Sequence, residues 1–244
     1  MLFSEQGWLF LLRWFHFLGG ITWIGMLYYF NFVQTPFFGT KFIADNAAVR
    51  SGIVRGGLLA TALWWFRWGA MLTFVTGWLY ILHMMFARFG GLGPFLGQPY
   101  GWSILMGGLI GSLMWFNVWF IIWPAQQIVM ASAAQVATGG AAIPEAAARG
   151  TRAGLASRTN TLLSIPMLFF MGAASHFAFF TPTGGGGGVA MFIAFLIVLA
   201  IVEFNALVGT TGPGKKMLST LNGTFWGGFI VTIVLVALLK IFFA

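Results

Sequence analysis

The chain contains no cysteine at all. Disulfides, iron–sulfur clusters and covalent c-type haem attachment are therefore excluded within it. Any metal or haem here must be held by His, Met, Tyr or carboxylate. Acids are nearly as scarce: Glu5, Asp45, Glu145 and Glu203 are the whole set. Only 7% of the residues are charged, against roughly 25% in a soluble domain. The formal net charge of +8 reflects missing acids rather than a basic patch, so nucleic-acid binding is a poor reading. What fills the chain instead is apolar: 59% hydrophobic and 18% aromatic. This is the composition of an integral membrane protein.

A membrane helix needs about 20 apolar residues, and six such stretches follow from the sequence. They cover residues 8–33, 63–87, 102–124, 159–181, 189–208 and 221–243. The expected fold is an all-α bundle of six transmembrane helices in a single domain, 1–244. The first run is too long for a cleavable signal peptide and lacks a small-residue cleavage site. Residues 43–58 read as a short surface helix. Segment 125–157 is Ala-rich, with GGAAIP as an interruption, and offers a docking surface. Pro166 marks an expected kink in the fourth span. The pentaglycine 184–188 has no following Lys-Ser/Thr and reads as a connector, not a phosphate loop.

Loop charge sets the orientation. Lys41, Arg50 and Arg55 follow the first span, Arg149, Arg152 and Arg158 the third, and Lys215 and Lys216 the fifth. The positive-inside rule then puts the odd loops in the cytoplasm and both termini on the outer face. In a bacterium the chain would be a multi-pass protein of the inner membrane.

That topology brings the three histidines to similar depth in the outer half of the bilayer. His16 stands in WFHFLGGITWIG, about eight residues into the first span, or roughly 12 Å deep. His83 and His176 each lie near the outer end of their spans. Ionisable groups inside a membrane default to a functional reading, and imidazole ligates haem iron, copper or zinc. Glycines beside His16 leave room for a flat macrocycle. Haem b therefore fits better than a bare metal ion held by His16, His83 and His176. His16 is the first axial candidate, and the second rests between His83 and His176. Arg13, one turn outward, could pair with a propionate or act as an interfacial cation. The competing reading for each histidine is an ordinary helix–helix hydrogen bond, worth about 1 kcal/mol or less. Met84, Met85 and Met171 are further sulfur donors, though methionine usually fills space. Trp64, Trp65, Trp68 and Trp102 read as interfacial belt residues. Trp14 and Trp23 lie deeper.

A second polar group lies toward the cytoplasmic side: Arg67, Asn117, Arg158, Asn160, Glu203 and Asn205. Glu203 is the only acid within a span, and a buried carboxylate needs a partner or a proton. Arg67 has compatible depth for an ion pair with it. The pair would either fix helix packing or form part of a proton path.

Several blocks carry a family resemblance. RWFHFLGGITWIGMLYYFNFVQTPFF, ALWWFRWGAMLTFVTGWLY, NVWFIIWPAQQIV and ASRTNTLLSIPMLFFM resemble the membrane domain of the bacterial urate hydroxylase family, the urate oxidase N-terminal domain. The histidine-bearing first span is also similar to that of small membrane protoporphyrinogen oxidases. The resemblance implies a membrane-bound oxidoreductase that hydroxylates urate and passes electrons to the respiratory chain. For a flat purine anion, Arg67, Asn117, Gln126 and Asn160 are the candidate binding residues. In that family a cytochrome c domain follows the membrane part. This sequence runs to Ala244 without one, so electrons are expected to leave through a separate c-type cytochrome or a larger membrane complex. The alternative is a non-catalytic accessory subunit of such a complex.

Overall fold

Long apolar stretches with few helix breakers fold here into long helices, and no strand occurs among the described residues. The computed structural model describes residues 3–182 and 187–243. Residues 184–186 of the pentaglycine lie outside them. Helix α1 (Glu5–Tyr28) begins at Ser4, whose hydroxyl accepts from the Gly7 amide. It continues through a π-helical turn, Tyr29–Gln34, into α2 (Thr35–Phe38). Two short helices, α3 (Lys41–Asp45) and α4 (Ala47–Arg55), form the predicted surface element. Helix α5 (Leu58–His83) ends in a second π turn, Met84–Arg88, and α6 (Leu92–Leu96) leads into α7 (Pro99–Phe116).

The third long run does not stop at Pro124. Helix α7 passes through a third π turn, Asn117–Ile122, into α8 (Trp123–Ala137). Proline lacks an amide N–H to give the ladder, and the wider turn just before it absorbs the change in register. GGAAIP then interrupts the helix as expected, and α9 (Ala146–His176) follows. Helices α10 (Gly187–Leu207), α11 (Pro213–Leu218) and α12 (Leu221–Phe242) complete the chain.

Five continuous helical runs are long and apolar enough to cross a membrane: Glu5–Phe38, Leu58–Arg88, Pro99–Ala137, Gly187–Leu207 and Leu221–Phe242. The expected fourth span corresponds to α9. That helix has 31 residues but carries Arg149, Arg152, Arg158 and Asn160, which lower its hydropathy. Its placement explains the tolerance. It packs against α1, α7, α8, α10, α11 and α12, so Thr159, Asn160, Thr161 and Ser164 are buried inside protein rather than in lipid. The outer surface carries the opposite pattern, with Ile21, Ile193, Phe204, Trp226 and Ile233 exposed. Trp64, Trp65 and Trp68 are exposed as a belt would be, and Trp14 also faces outward. Trp102 departs from the expectation: it is buried against Phe243, 5.1 Å between ring centroids.

Close contact between helices is made by small residues. On α5, Gly69, Thr73 and Gly77 repeat every four residues and face α1. A Cβ on Gly69 would stand 3.0 Å from the Trp23 amide nitrogen, and one on Gly19 2.8 Å from the Thr73 hydroxyl. Pro166 leaves the Leu162 carbonyl without its helical donor. Gly228 of α12 lies against that carbonyl, where a Cβ would be 2.7 Å away.

Candidate functional site

The close approach of α1 to α5 positions His16. Its Nδ1 lies 2.9 Å from the Thr73 carbonyl oxygen. A carbonyl can only accept, so Nδ1 carries the proton and Nε2 keeps its lone pair. The ring sits over Gly77, where a Cβ would come within 2.9 Å of Cε1. Any larger residue there would displace the imidazole.

His16 forms part of the wall of an apolar cavity of about 370 Å³ between α1, α5, α7 and α9. That size falls within the range of about 300–1,000 Å³ typical of small-molecule sites. Small residues, Gly20 and Gly25 on α1 and Gly108 and Gly111 on α7, hold it open, and Met167 and Met171 line it from α9. Its polar edge is short. Trp78 Nε1 donates to the Ser112 hydroxyl at 2.8 Å, which donates to the Gly108 carbonyl at 2.7 Å. Trp23 also lines the cavity, and its buried indole N–H has no partner among the described residues. Exposed Phe17, Ile21 and Leu168 stand at the mouth, so the cavity opens sideways onto the apolar surface.

The other two histidines lie at the same end of the bundle but not in this cavity. His83 Nε2 is 3.0 Å from Glu5 Oε1, in a cluster that Arg88 joins at 3.7 Å. His176 is the exposed last residue of α9. Among the described residues no group of three His, Cys, Asp or Glu side chains is arranged to hold a metal ion. Arg13 hydrogen-bonds the Tyr80 hydroxyl and lies 4.8 Å from the centroid of that ring.

The second polar group divides into three. Asn117 Nδ2 donates to Asn160 Oδ1 at 2.9 Å and to Glu203 Oε2 at 3.0 Å, and Asn160 Nδ2 donates to the Met114 carbonyl. This network ties the π turn after α7 to α9 and α10. Arg67 is elsewhere, with its guanidinium 3.9 Å from the Trp123 ring centroid and 5.2 Å from that of Trp119. No ion pair joins Arg67 to Glu203 among the described residues.

Gln126 belongs to a third place, a polar cavity of about 450 Å³ at the opposite end of the bundle from His83. Arg50 and Arg158 also line it, with Asn31, Gln34 and Ser157. Asn31 is buried and donates from Nδ2 to the Ser157 hydroxyl at 2.8 Å. Of the four residues expected to bind a purine anion, the structure brings Asn117 and Asn160 together and leaves Arg67 and Gln126 apart. Thr73, Gly77, Ser112 and Met167 escaped sequence reasoning. The four-residue repeat of small residues on α5 was the one readable signal for the first two.

Fold and cavities together define an all-α, multi-pass membrane helix bundle with an imidazole-edged apolar site and a separate cationic one. The model of the urate oxidase N-terminal family matches residues 98–238, more than half of the chain, and the chain belongs to that family. The matched stretch runs from just before α7 nearly to the end of α12. It includes the Asn117–Asn160–Glu203 network, while His16 and His83 precede it. No curated protein and no solved structure matches the chain.

Proposed function

We propose that this urate-hydroxylase-like membrane protein transfers electrons through a haem b held by His16. One observation carries the reading: Nδ1 of His16 is tied to the Thr73 carbonyl, leaving Nε2 as a free lone pair at an apolar cavity. Haem ligands are commonly fixed by such a backbone bond on the other ring nitrogen. The donor set suits the group, and the cavity that His16 edges is apolar and open at its mouth. Gly25 has open space where a side chain would stand, and the thioethers of Met167 and Met171 supply a second donor type. Because His83 is engaged by Glu5 and His176 stands outside the cavity, Met167 or Met171 of α9 would help His16 hold the group on this reading.

A bound haem would supply one-electron redox chemistry. The chain's own residues would hold and orient it: His16 would ligate, with Thr73 fixing its tautomer and Gly77 giving its ring a place, and the apolar walls would exclude water. Arg13, beside Tyr80, has further N–H groups for a propionate. Lys41, Arg50, Arg55, Arg149, Arg152, Arg158, Lys215 and Lys216 gather at the end away from His83, which supports placing that end in the cytoplasm of a bacterial inner membrane. Electrons taken from urate would then leave at the outer face to a c-type cytochrome or a membrane complex.

The test is a reduced-minus-oxidised spectrum of the detergent-purified chain. A haem b Soret band is expected, lost in His16→Ala and retained in His176→Ala. A chain without the band, even when purified with its natural partners, would instead be an accessory membrane subunit.

A further inference from the structure

Arg67 is a cation that the rest of the chain does not answer. Its surroundings follow from spacing. Trp115, Trp119 and Trp123 recur every four residues along the run through α7, the π turn and α8, so they share one face of it. That face meets α5. Trp115 stacks on Phe74 at 4.2 Å between centroids, and Trp119 meets Trp68 edge to face at 5.5 Å. Trp123 takes the Arg67 guanidinium at 3.9 Å from its centroid. The flat face of the guanidinium is thereby used, and its N–H edge is not. Arg67 Nε and Trp119 Nε1 are buried with no hydrogen-bond partner among the described residues. Both are donors, so what this place lacks is an acceptor.

An arginine keeps its charge in a protein, and aromatic rings attract that charge without neutralising it. The four acids of the chain are engaged elsewhere. Asp45 pairs with Lys41 and Glu145 with Arg149, Glu5 meets His83 at the other end of the bundle, and Glu203 accepts from Asn117. The counter-anion must come from outside the chain, and depth says from where. The helical run Leu58–Arg88 has 31 residues, about 46 Å, against a hydrocarbon core of about 30 Å. Centred in that core, it overhangs by about 8 Å at each end. Arg67 follows Leu58 by nine residues, about 14 Å, so its backbone lies about 6 Å inside the edge and its long side chain reaches the headgroups. Trp64, Trp65 and Trp68, exposed around it, mark the same interfacial level.

We propose that Arg67, held flat on Trp123, binds the phosphate of an anionic phospholipid in the leaflet at the end of the bundle away from His83. A guanidinium edge matches two oxygens of a phosphodiester. Exposed Trp64, Trp68 and Phe120 offer apolar surface to the acyl chains. No carboxylate pairs with Arg67 among the described residues, so nothing here favours the choline of a zwitterionic lipid. The site is separate from the His16 cavity and stands whether or not a haem binds there.

The test is native mass spectrometry of the full chain released from nanodiscs of equal phosphatidylglycerol and phosphatidylcholine with matched acyl chains. Retained phosphatidylglycerol is expected to exceed phosphatidylcholine about fivefold. Arg67→Gln should lower that ratio at least about threefold. Arg67→Lys keeps the charge but not the planar fork, so it should lower the ratio less, and it decides the matter should Arg67→Gln not fold. Arg149→Gln, which removes an exposed charge paired with Glu145, should leave the ratio as it is in the parent chain. The proposal is overturned if the parent retains both lipids equally, if the Arg67 variants that fold keep the parent ratio, or if Arg149→Gln lowers it as much. It is also overturned if millimolar inorganic phosphate strips the lipid, which would make this a site for a free anion.

Discussion

Lys215 shows what burial does to a single charge in this protein. It lies on α11, outside the membrane-spanning runs, and is buried with no hydrogen-bond partner for Nζ among the described residues. Burial, with the nearby positive charge of Arg152, holds its pKa below the ordinary lysine value. Folding therefore disfavours the protonated amine. Between the lowered and the ordinary value the unfolded chain binds more protons, so stability rises with pH through that window. Below the window the penalty is fully present. Lys215→Met should raise stability at neutral pH by about 1 kcal/mol and flatten the alkaline rise. Thermal melts of the solubilised protein across neutral to alkaline pH check both. At this scale the sequence was informative about depth and poor about direction. Position along a helix put Arg67 and Glu203 at matching levels. Rotation about the axis turned one to Trp119 and Trp123 and the other to Asn117. The same limit separated His83 and His176 from His16. The Thr73 carbonyl left no trace, since every residue has one.

Helix pairs are set by where backbone can meet backbone. The contact of α9 with α12 combines a carbonyl freed by Pro166 with a glycine that leaves it uncovered. Gly228→Val should drive a side chain into the Leu162 carbonyl and Ile165, costing about 2 kcal/mol. Gly172 on the same α9 has nothing within 4 Å of an added Cβ, so Gly172→Ala should be neutral or stabilising by up to about 1 kcal/mol. Paired melting curves in one detergent distinguish a general intolerance of α9 from this local crowding. The long helices were legible, because long apolar runs have few other solutions in a membrane, whereas the short helices α6 and α11 lie in stretches whose Gly and Pro read as turn and linker. Element ends were less so. Pro124 looked like a terminus because a proline normally breaks the ladder, and no composition signal announces a π turn.

For the whole molecule, orientation is open to direct measurement, and the lack of cysteine makes it simple. Single substitutions Gly90→Cys and Ala141→Cys put thiols at opposite ends of the bundle, on exposed loop backbone. An impermeant maleimide should label Gly90→Cys in intact cells and reach Ala141→Cys only after permeabilisation. The reverse pattern would invert the placement of the His16 cavity.

The polar character of α9 has a consequence for how the protein is made. A helix bearing Arg158 and Asn160 gains little from entering lipid alone, and its shelter comes from both directions in the chain. Helix α7 is synthesised before it and α12 after it. Stable insertion of α9 thus waits on about seventy further residues of synthesis, until α12 closes over a segment that the membrane by itself would not retain.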